Sequence, residues 1–207
     1  MSRAPVLILE GTGDTAGVAE LIRTASDYQI HPVPKGISRQ SIPLLRRPGE
    51  LEKFVTHALR RPEADSVLIL LDCDDDCPIQ IVNDWVPRIR TLNPQRKVGI
   101  SLWMREFEVL FLASLPKIVE TYPDREWRQS SWDGDPETPR GVKEKLSGMM
   151  GPRYTYKPST DQARFIHCLD YDAIAPLRCY QHFLECLAWL TDDTASPVFP
   201  ALTEESA

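Results

Sequence analysis

An acidic run directly after an apolar stretch is the part of the sequence with the clearest capacity for chemistry. Residues 72–76 contain four aspartates, and they follow residues 66–71, which have the composition of a buried strand. A second apolar run, residues 6–9, ends in the carboxylate of Glu10. Ligands of open α/β sheets bind outside the carboxyl ends of the strands, so both acidic groups are expected at one edge. Carboxylate oxygens with room for water and phosphate favour Mg²⁺ or Mn²⁺, and they predict phosphoryl transfer or hydrolysis.

A third acidic point follows the predicted fourth strand. Arg105 and Glu108 are three residues apart at a presumed helix start, so a local ion pair between them is expected. Glu106 would then point elsewhere, towards the acidic site. The Gly11–Gly13 loop lacks the Gly-Lys-Ser or Gly-Lys-Thr of a P-loop and gives little support for nucleotide binding.

The elements that must position these side chains follow from hydrophobic periodicity and capping residues. Three helices are predicted at residues 14–27, 48–61 and 78–90, and Pro87 should kink or interrupt the last of them. Further extended segments are predicted at residues 28–33 and 97–102, and residues 34–43 are predicted to be a loop over the active edge. The alternation predicts an α/β fold: a mostly parallel central sheet of about four strands, with helices on both faces and a helical C-terminal elaboration.

The organisation expected along the chain has four parts. Residues 1–114 form the α/β core, and residues 115–158 form a loop-rich insertion or cap around one helix at residues 141–150. Residues 159–192 supply C-terminal helices that pack on the core. Residues 193–207 are expected to be a disordered tail.

Composition narrows the class of protein. A net charge of −6 over 207 residues disfavours a tight autonomous DNA-binding module, although basic residues group locally. The five cysteines are odd in number and scattered, which argues against a disulfide framework, and their spacing with the histidines predicts no zinc site. Neither a membrane span nor a secretory signal is indicated, so a cytoplasmic protein is expected.

Several motifs at these positions carry a family resemblance. They are a glutamate before a glycine turn, an Asp-x-Asp pair, an acidic motif after the fourth strand, and a lysine-bearing helix followed by a second lysine segment. In chain order the residues are Glu10 with Gly11 and Asp14, Asp72 with Asp74 and Asp76, Arg105 with Glu106 and Glu108, and Lys143 and Lys157. With them the chain resembles the TOPRIM-like proteins, specifically a family of unknown function related to the nuclease domains of overcoming-lysogenization-defect proteins and to TOPRIM effectors of bacterial phage defence.

The resemblance implies a nuclease that depends on Mg²⁺ or Mn²⁺. Asp72 and Asp74 would be catalytic metal ligands, and Asp76 would be a third ligand or a water-mediated one. Glu10 would be a catalytic general acid or base or the ligand of a second metal. DNA, RNA or transfer RNA would be the substrate and an ABC-type ATPase the partner; a homo-oligomer stays open and no membrane partner is implied. The supporting residues would be Gly11, Asp14, Arg105, Glu106 and Glu108, and the phosphate-binding candidates are Lys35, Arg39, Lys143 and Lys157.

Two other readings of the acidic run stay open at the level of sequence. In a phosphatase of the haloacid-dehalogenase kind, Asp72 would be the nucleophile and Asp74 the acid or base, but this family's nucleophile usually ends the first strand, and Glu10 would go unexplained. In a non-catalytic effector or scaffold subunit, the run would bind a metal for stability or meet a basic partner surface. A solvated loop before the helix at Pro78 would also suit the acidic run.

Overall fold

A computed structural model describes residues 5–11, 14–25, 36–37, 40–62, 64–191 and 198–199. Its strands are β1 (Pro5–Leu9), β2 (Gly36–Ile37), β3 (Ser66–Asp72), β4 (Lys97–Trp103) and β5 (Val198–Phe199). Its first helices are α1 (Asp14–Ala25), α2 (Ile42–Leu45), α3 (Glu50–Leu59), α4 (Pro78–Thr91) and α5 (Val109–Ala113). The later ones are α6 (Leu115–Thr121), α7 (Val142–Met149), α8 (Ala163–Ile166), α9 (Tyr171–Ile174) and α10 (Arg178–Thr191), and a π-helical turn (Pro158–Gln162) precedes α8.

The described strands form one parallel sheet in the order β2-β1-β3-β4-β5. This confirms the predicted α/β class with a parallel central sheet and C-terminal helices. Leu9 of β1 lies in register with Leu70 of β3, and Asp72 lies in register with Trp103 at the end of β4. The carboxyl ends of the three central strands therefore meet at one edge, which carries Glu10, Asp72 and the segment after Trp103.

Alternation of side chains along the central strands creates two hydrophobic cores. One face of the sheet, with Ile8, Ile69 and Ile100, packs against α2, α3 and α4. The other face, with Leu7, Leu70 and Trp103, packs against α1 and against helices from α5 to α10. Strands buried on both faces have the nearly continuous apolar sequences seen in β1 and β3.

Helix α10 approaches β4 closely because a glycine faces it. A Cβ atom added at Gly99 would lie 2.5 Å from Sγ of Cys186 in α10, which is closer than real Cβ atoms approach a neighbour. Gly99 thus lets the longest C-terminal helix sit directly on the sheet. The five cysteines are free thiols and four of them are buried, as expected from their number and spacing.

Some predicted elements differ from the observed ones. The predicted loop at residues 34–43 contains β2 and the start of α2. The sequence does not reveal β2, because a strand of two residues paired with β1 is too short to form a periodic pattern. Helix α4 continues through Pro87 without interruption. Pro87 and Asn83 are both exposed, so water can reach the carbonyl oxygen of Asn83, which the proline ring leaves without a backbone donor. The segment at residues 28–33 lies outside the described residues.

The C-terminal regions also differ in part from expectation. Val198–Phe199, within the expected disordered tail, form β5 on the edge of β4, and the rest of residues 192–207 lies outside the described residues. The insertion contributes Val142 and Leu146 of α7 to the same core as Trp103, so its helix is part of the main packing. In the part of the chain that the structure describes, no helix is long and apolar enough to cross a membrane.

Candidate active site at the carboxyl edge of the sheet

Three carboxylates surround the ammonium group of Lys143 at the carboxyl edge of β3 and β4. The Nζ atom lies 3.4 Å from Oδ2 of Asp72, 3.5 Å from Oε2 of Glu106 and 3.4 Å from Oε2 of Glu108. Asp72 is the last residue of β3, and the two glutamates follow β4. The structure thus brings together one residue of the Asp-x-Asp motif, two of the later acidic motif and one phosphate-binding candidate.

Backbone donors fix two of these carboxylates. The backbone N–H of Phe107 donates to Oδ1 of Asp72 at 2.9 Å, which ties the end of β3 to the segment after β4. The backbone N–H groups of Val142 and Lys143 donate to the carboxylate of Glu106 at 2.8 and 3.4 Å. Glu106 therefore accepts hydrogen bonds from the first turn of α7, where a negative charge is favourable, and it positions Lys143.

Glu108 is the most buried acid of the cluster, with 0% of its side chain exposed. Its Oε1 accepts a hydrogen bond of 2.9 Å from the hydroxyl of Tyr156, while Oε2 lies within ion-pair distance of Lys143 without hydrogen-bond geometry. Burial raises the pKa of Glu108 to about 7, although the charge of Lys143 and the hydrogen bond from Tyr156 act in the opposite direction. Glu108 is accordingly poised to exchange a proton near neutral pH.

Lys143 carries a permanent positive charge in this setting. Burial alone would lower the pKa of its ammonium group, but the negative charges of Glu108, Asp72 and Glu106 outweigh burial and raise the pKa. The residue is thus a fixed cation and not a general base. Its position is also held from the backbone, because the hydroxyl of Ser147 donates to the carbonyl oxygen of Lys143 and accepts from the N–H of Tyr156.

The loop after Asp72 distributes its acids over separate partners. Asp75 lies 2.7 Å from both Arg105 and Arg140, and Asp76 pairs with Arg46 at 2.9 Å. Asp74 adopts a left-handed backbone with φ of 48°, and its N–H donates to the carbonyl oxygen of Arg105. Burial raises the pKa of Asp74, and the negative charge of Glu106 adds to this effect. Asp74 therefore belongs electrostatically with Glu106, whereas Asp76 is directed to Arg46.

The predicted ion pair between Arg105 and Glu108 is wrong. Arg105, with φ of 66°, turns its side chain back to Asp75 and to the carbonyl oxygen of Asp74, and Glu108 turns inward to Tyr156. The expectation of a simple helix start failed because helix α5 begins only at Val109, one residue after Glu108.

The other sequence candidates are placed as follows. Glu10 and Gly11 follow β1 at the same edge, and Asp14 begins α1, although its side chain lies outside the described part, as do Lys35 and Arg39. Lys157 lies at a separate basic cavity.

Carboxylate oxygens are the ligands that Mg²⁺ and Mn²⁺ prefer, and Asp72, Asp74, Glu106 and Glu108 exceed the single ammonium of Lys143 in charge. The chemistry and charge of this set thus suit a divalent cation. The geometry of the set does not suit a divalent cation in the present arrangement, because the ammonium group of Lys143 occupies the point where three carboxylates converge. Within the described ranges, no group of three His, Cys, Asp or Glu side chains is arranged to hold a metal ion.

Sequence reasoning missed Tyr156 and underestimated Glu108. Tyr156 lies 48 residues after its partner, and no local spacing reports that contact. Its 4% exposure became visible only in the fold. The weak signal available was the position of Tyr156 directly before the lysine segment that contributes to the resemblance.

Comparisons of the chain with protein-family models, with curated proteins and with solved structures found no match. The resemblance to TOPRIM-like proteins therefore rests on the motifs, and the parallel sheet is consistent with it.

Proposed function

We propose that the protein is a divalent-metal-dependent nuclease of the TOPRIM-like kind, which hydrolyses phosphodiester bonds at the carboxyl edge of β3 and β4. The observation that carries this proposal is the convergence of Asp72, Glu106 and Glu108 on the ammonium group of Lys143. Such a cluster lies where parallel α/β sheets bind their ligands. An excess of carboxylates around one fixed cation suits a reaction in which phosphate and metal charges must be balanced.

The residues of the chain have separable tasks in this proposal. Asp72, Asp74 and Glu106 would hold Mg²⁺ or Mn²⁺ once the ammonium of Lys143 moves outward. When bound, the metal would activate the attacking water and stabilise charge on the phosphoryl oxygens. Lys143 stays protonated and can stabilise the same negative charge from the protein side.

Proton transfer would fall to Glu10, the general acid or base that the resemblance implies when Asp72 and Asp74 hold the metal. Glu108 is buried behind Lys143 and acts as a positioning residue, because its charge state near neutral pH changes the attraction on that ammonium.

The resemblance also leads us to propose an ABC-type ATPase partner and a role in phage defence. ATP hydrolysis would have to be supplied by that partner, because the Gly11–Gly13 loop lacks a P-loop sequence. The purified chain alone is expected to show no response of its cleavage rate to ATP. A response of the isolated chain to ATP would argue against this division of labour.

The decisive experiment measures cleavage of single- and double-stranded DNA, structured RNA and transfer RNA with Mg²⁺, Mn²⁺ or EDTA. Asp72→Asn and Glu10→Gln are each expected to abolish metal-dependent cleavage while the thermal transition is retained. The matched control is Asp65→Asn, an exposed aspartate just before the opposite end of β3, which should cleave like the wild type. Equal cleavage by Asp72→Asn and the control would refute the proposed site.

The same panel separates the alternatives when p-nitrophenyl phosphate is added. A phosphatase with Asp72 as nucleophile would hydrolyse this monoester and leave nucleic acids intact. Absence of both activities in the wild type would favour the non-catalytic effector or scaffold.

A further inference from the structure

A cavity with basic walls lies apart from the residues assigned to the proposed reaction. Its volume is about 280 Å³, and it opens at the surface near the π-helical turn before α8. Its cationic lining residues are Arg125, Arg153, Lys157 and Arg164, and its hydroxyl-bearing ones are Tyr154, Thr155 and Thr160. Guanidinium, ammonium and hydroxyl groups are the side-chain donors that contact nucleic-acid phosphates.

The charge of this cavity is only partly neutralised. Arg125 pairs with Asp161 at 2.7 Å, and Arg153 pairs with Glu126. Lys157 and Arg164 are exposed, and neither forms an ion pair with any residue that the structure describes. A local excess of positive charge therefore stands on a chain whose net charge is −6.

A largely buried ion pair lies in the wall of the cavity. The side chains of Arg125 and Asp161 are only 13% and 3% exposed, and the guanidinium of Arg125 also lies 5.5 Å from the centre of the Tyr154 ring. Oδ2 of Asp161 accepts a hydrogen bond of 2.8 Å from the backbone N–H of Lys157. Lys157 is thus anchored through its backbone while its ammonium group stays exposed, which reduces the ordering cost of binding an anion.

Two consecutive residues, Tyr156 and Lys157, connect the cavity to the carboxylate cluster. The hydroxyl of Tyr156 donates to Glu108 in the cluster, and the next residue, Lys157, lines the cavity. Lys157 has an extended backbone, with φ of −130° and ψ of 109°, so its side chain and that of Tyr156 point to opposite sides of the segment. A ligand that reached both would need several phosphates along a chain.

We infer that this cavity binds a backbone phosphate of a nucleic-acid strand whose reacting phosphate lies at the Lys143 cluster. The inference rests on the proposed nuclease function and deepens it, because it assigns a second contact point for the substrate strand away from the reacting phosphate. Lys157 and Arg164 supply the charge that recognises the phosphate, and Arg125 and Asp161 fix the wall behind it. Contacts of this kind set the affinity and register of the strand without reading its sequence.

The test is fluorescence anisotropy with labelled single-stranded DNA and RNA oligonucleotides in EDTA, so that binding is measured without cleavage. The double variant Lys157→Gln/Arg164→Gln is compared with Arg60→Gln/Arg90→Gln, which removes two exposed cations from the helices on the other face of the sheet. We expect the cavity variant to lose at least about tenfold in affinity, as for lost charge-assisted hydrogen bonds. Its plot of log affinity against log salt should become shallower by about 1 per lost phosphate contact.

The outcomes separate this inference from the proposed function. Equal affinities of the two double variants, or no binding by the wild type, would overturn the inference, even if metal-dependent cleavage at Asp72 is found. Selective loss of affinity in the cavity variant together with absence of cleavage by the wild type would keep the cavity as a nucleic-acid site and reject the nuclease. If the nuclease proposal and the cavity inference are both correct, the cavity variant should have a higher KM for an oligonucleotide and the same kcat.

Discussion

Lys143 is the residue on which the electrostatics of the site depend. It is the counter-ion of three carboxylates from two strand ends, and its side chain is still 37% exposed. A partly exposed ammonium can move outward, whereas the carboxylates are held by backbone N–H groups and by Tyr156. The protein therefore has a built-in cation that a divalent ion would have to replace.

Replacing Lys143 by glutamine should reveal the affinity of the carboxylates for cations. We expect Lys143→Gln to lower the free energy of unfolding by about 1–3 kcal/mol without metal, because uncompensated carboxylates repel each other and partial exposure screens that repulsion. Mg²⁺ should then raise the Tm of the variant more than that of the wild type. Differential scanning fluorimetry across a Mg²⁺ titration provides the measurement.

The control for this titration is Lys145→Gln, a half-buried lysine on the same helix. It should respond to Mg²⁺ as the wild type does. Equal Mg²⁺ responses of all three proteins would show that the carboxylate cluster does not bind the ion.

Glu108 should make stability depend on pH in a definite direction. Its pKa is raised to about 7 in the folded protein, above that of an unfolded glutamate, so the folded state holds the proton more tightly. The stabilisation is present in full below the unfolded pKa and is lost as pH rises to about 7, by up to about 3 kcal/mol. Glu108→Gln removes this titration and keeps an oxygen that can accept from Tyr156.

Urea unfolding at pH 5, 6, 7 and 8 tests this. The difference between wild type and Glu108→Gln should shift in favour of the variant as pH rises from 5 to 7, and then level off. Two parallel pH profiles would contradict a raised pKa of Glu108 in the folded protein.

The sequence could predict one side of the site better than the other. Asp72 follows an apolar strand, so its place at the sheet edge follows from the pattern alone. Lys143 lies 71 residues after Asp72, and its contact depends on how α7 is placed by Glu106, which no local spacing encodes. The ion pairs of the aspartates after β3 likewise depend on arginines from distant parts of the chain. Arg46, for example, pairs with Asp76.

At the scale of elements, strands and helices were predictable where burial and local pattern agree. β1 and β3 contain continuous apolar runs, β4 is largely apolar, and α3 is amphipathic, so the sequence predicts each of them within a few residues. β2 was missed because its two residues are paired through backbone atoms and carry little apolar pattern. The interruption predicted at Pro87 does not occur. The helix is exposed at that point, so water can replace the backbone hydrogen bond that the proline cannot make.

The contact of β4 with α10 predicts coupling between Gly99 and Cys186. Gly99→Ala should destabilise by about 1–3 kcal/mol, because the new methyl group meets Sγ of Cys186 and the core cannot expand freely. Cys186→Ala alone should cost about 1 kcal/mol as a lost buried atom. The loss of unfolding free energy in the double variant should be smaller than the sum of the two single losses by at least about 1 kcal/mol, since the second change removes the clash. Urea denaturation of the four proteins measures this, and strict additivity would contradict the close approach.

A buried carboxylate joins the insertion to the C-terminal helices. Both oxygens of Glu137 accept backbone N–H groups at the start of α10, from Arg178 at 3.1 Å and Cys179 at 2.8 Å. The negative charge also suits the positive end of this helix dipole. The segment predicted as a loop-rich insertion or cap is therefore attached to the helix that covers β4.

At the scale of the whole molecule, the sheet is stabilised by two unequal cores. The core with Trp103 takes residues from β1, β3 and β4 and from every helix after α4, including Phe165 of α8 and Phe183 of α10. Removal of residues 158–207 would take α8, α9 and α10 away from that face of the sheet and leave part of it uncovered. A chain ending at residue 157 should accordingly lack a cooperative thermal transition, although it contains the whole predicted core of residues 1–114.

Far-UV circular dichroism and tryptophan fluorescence during heating can test this interdependence. In the full chain both signals should change at one temperature, as for a two-state protein. A chain ending at residue 191 keeps α10 and should retain a cooperative transition, whereas a chain ending at residue 157 should not. If the shorter chain unfolded cooperatively with unchanged Tm, the C-terminal helices would be a separate domain. Tyr156 belongs to the core that these helices share and bonds to Glu108, so the shorter chain should also lack the metal-dependent cleavage that we propose.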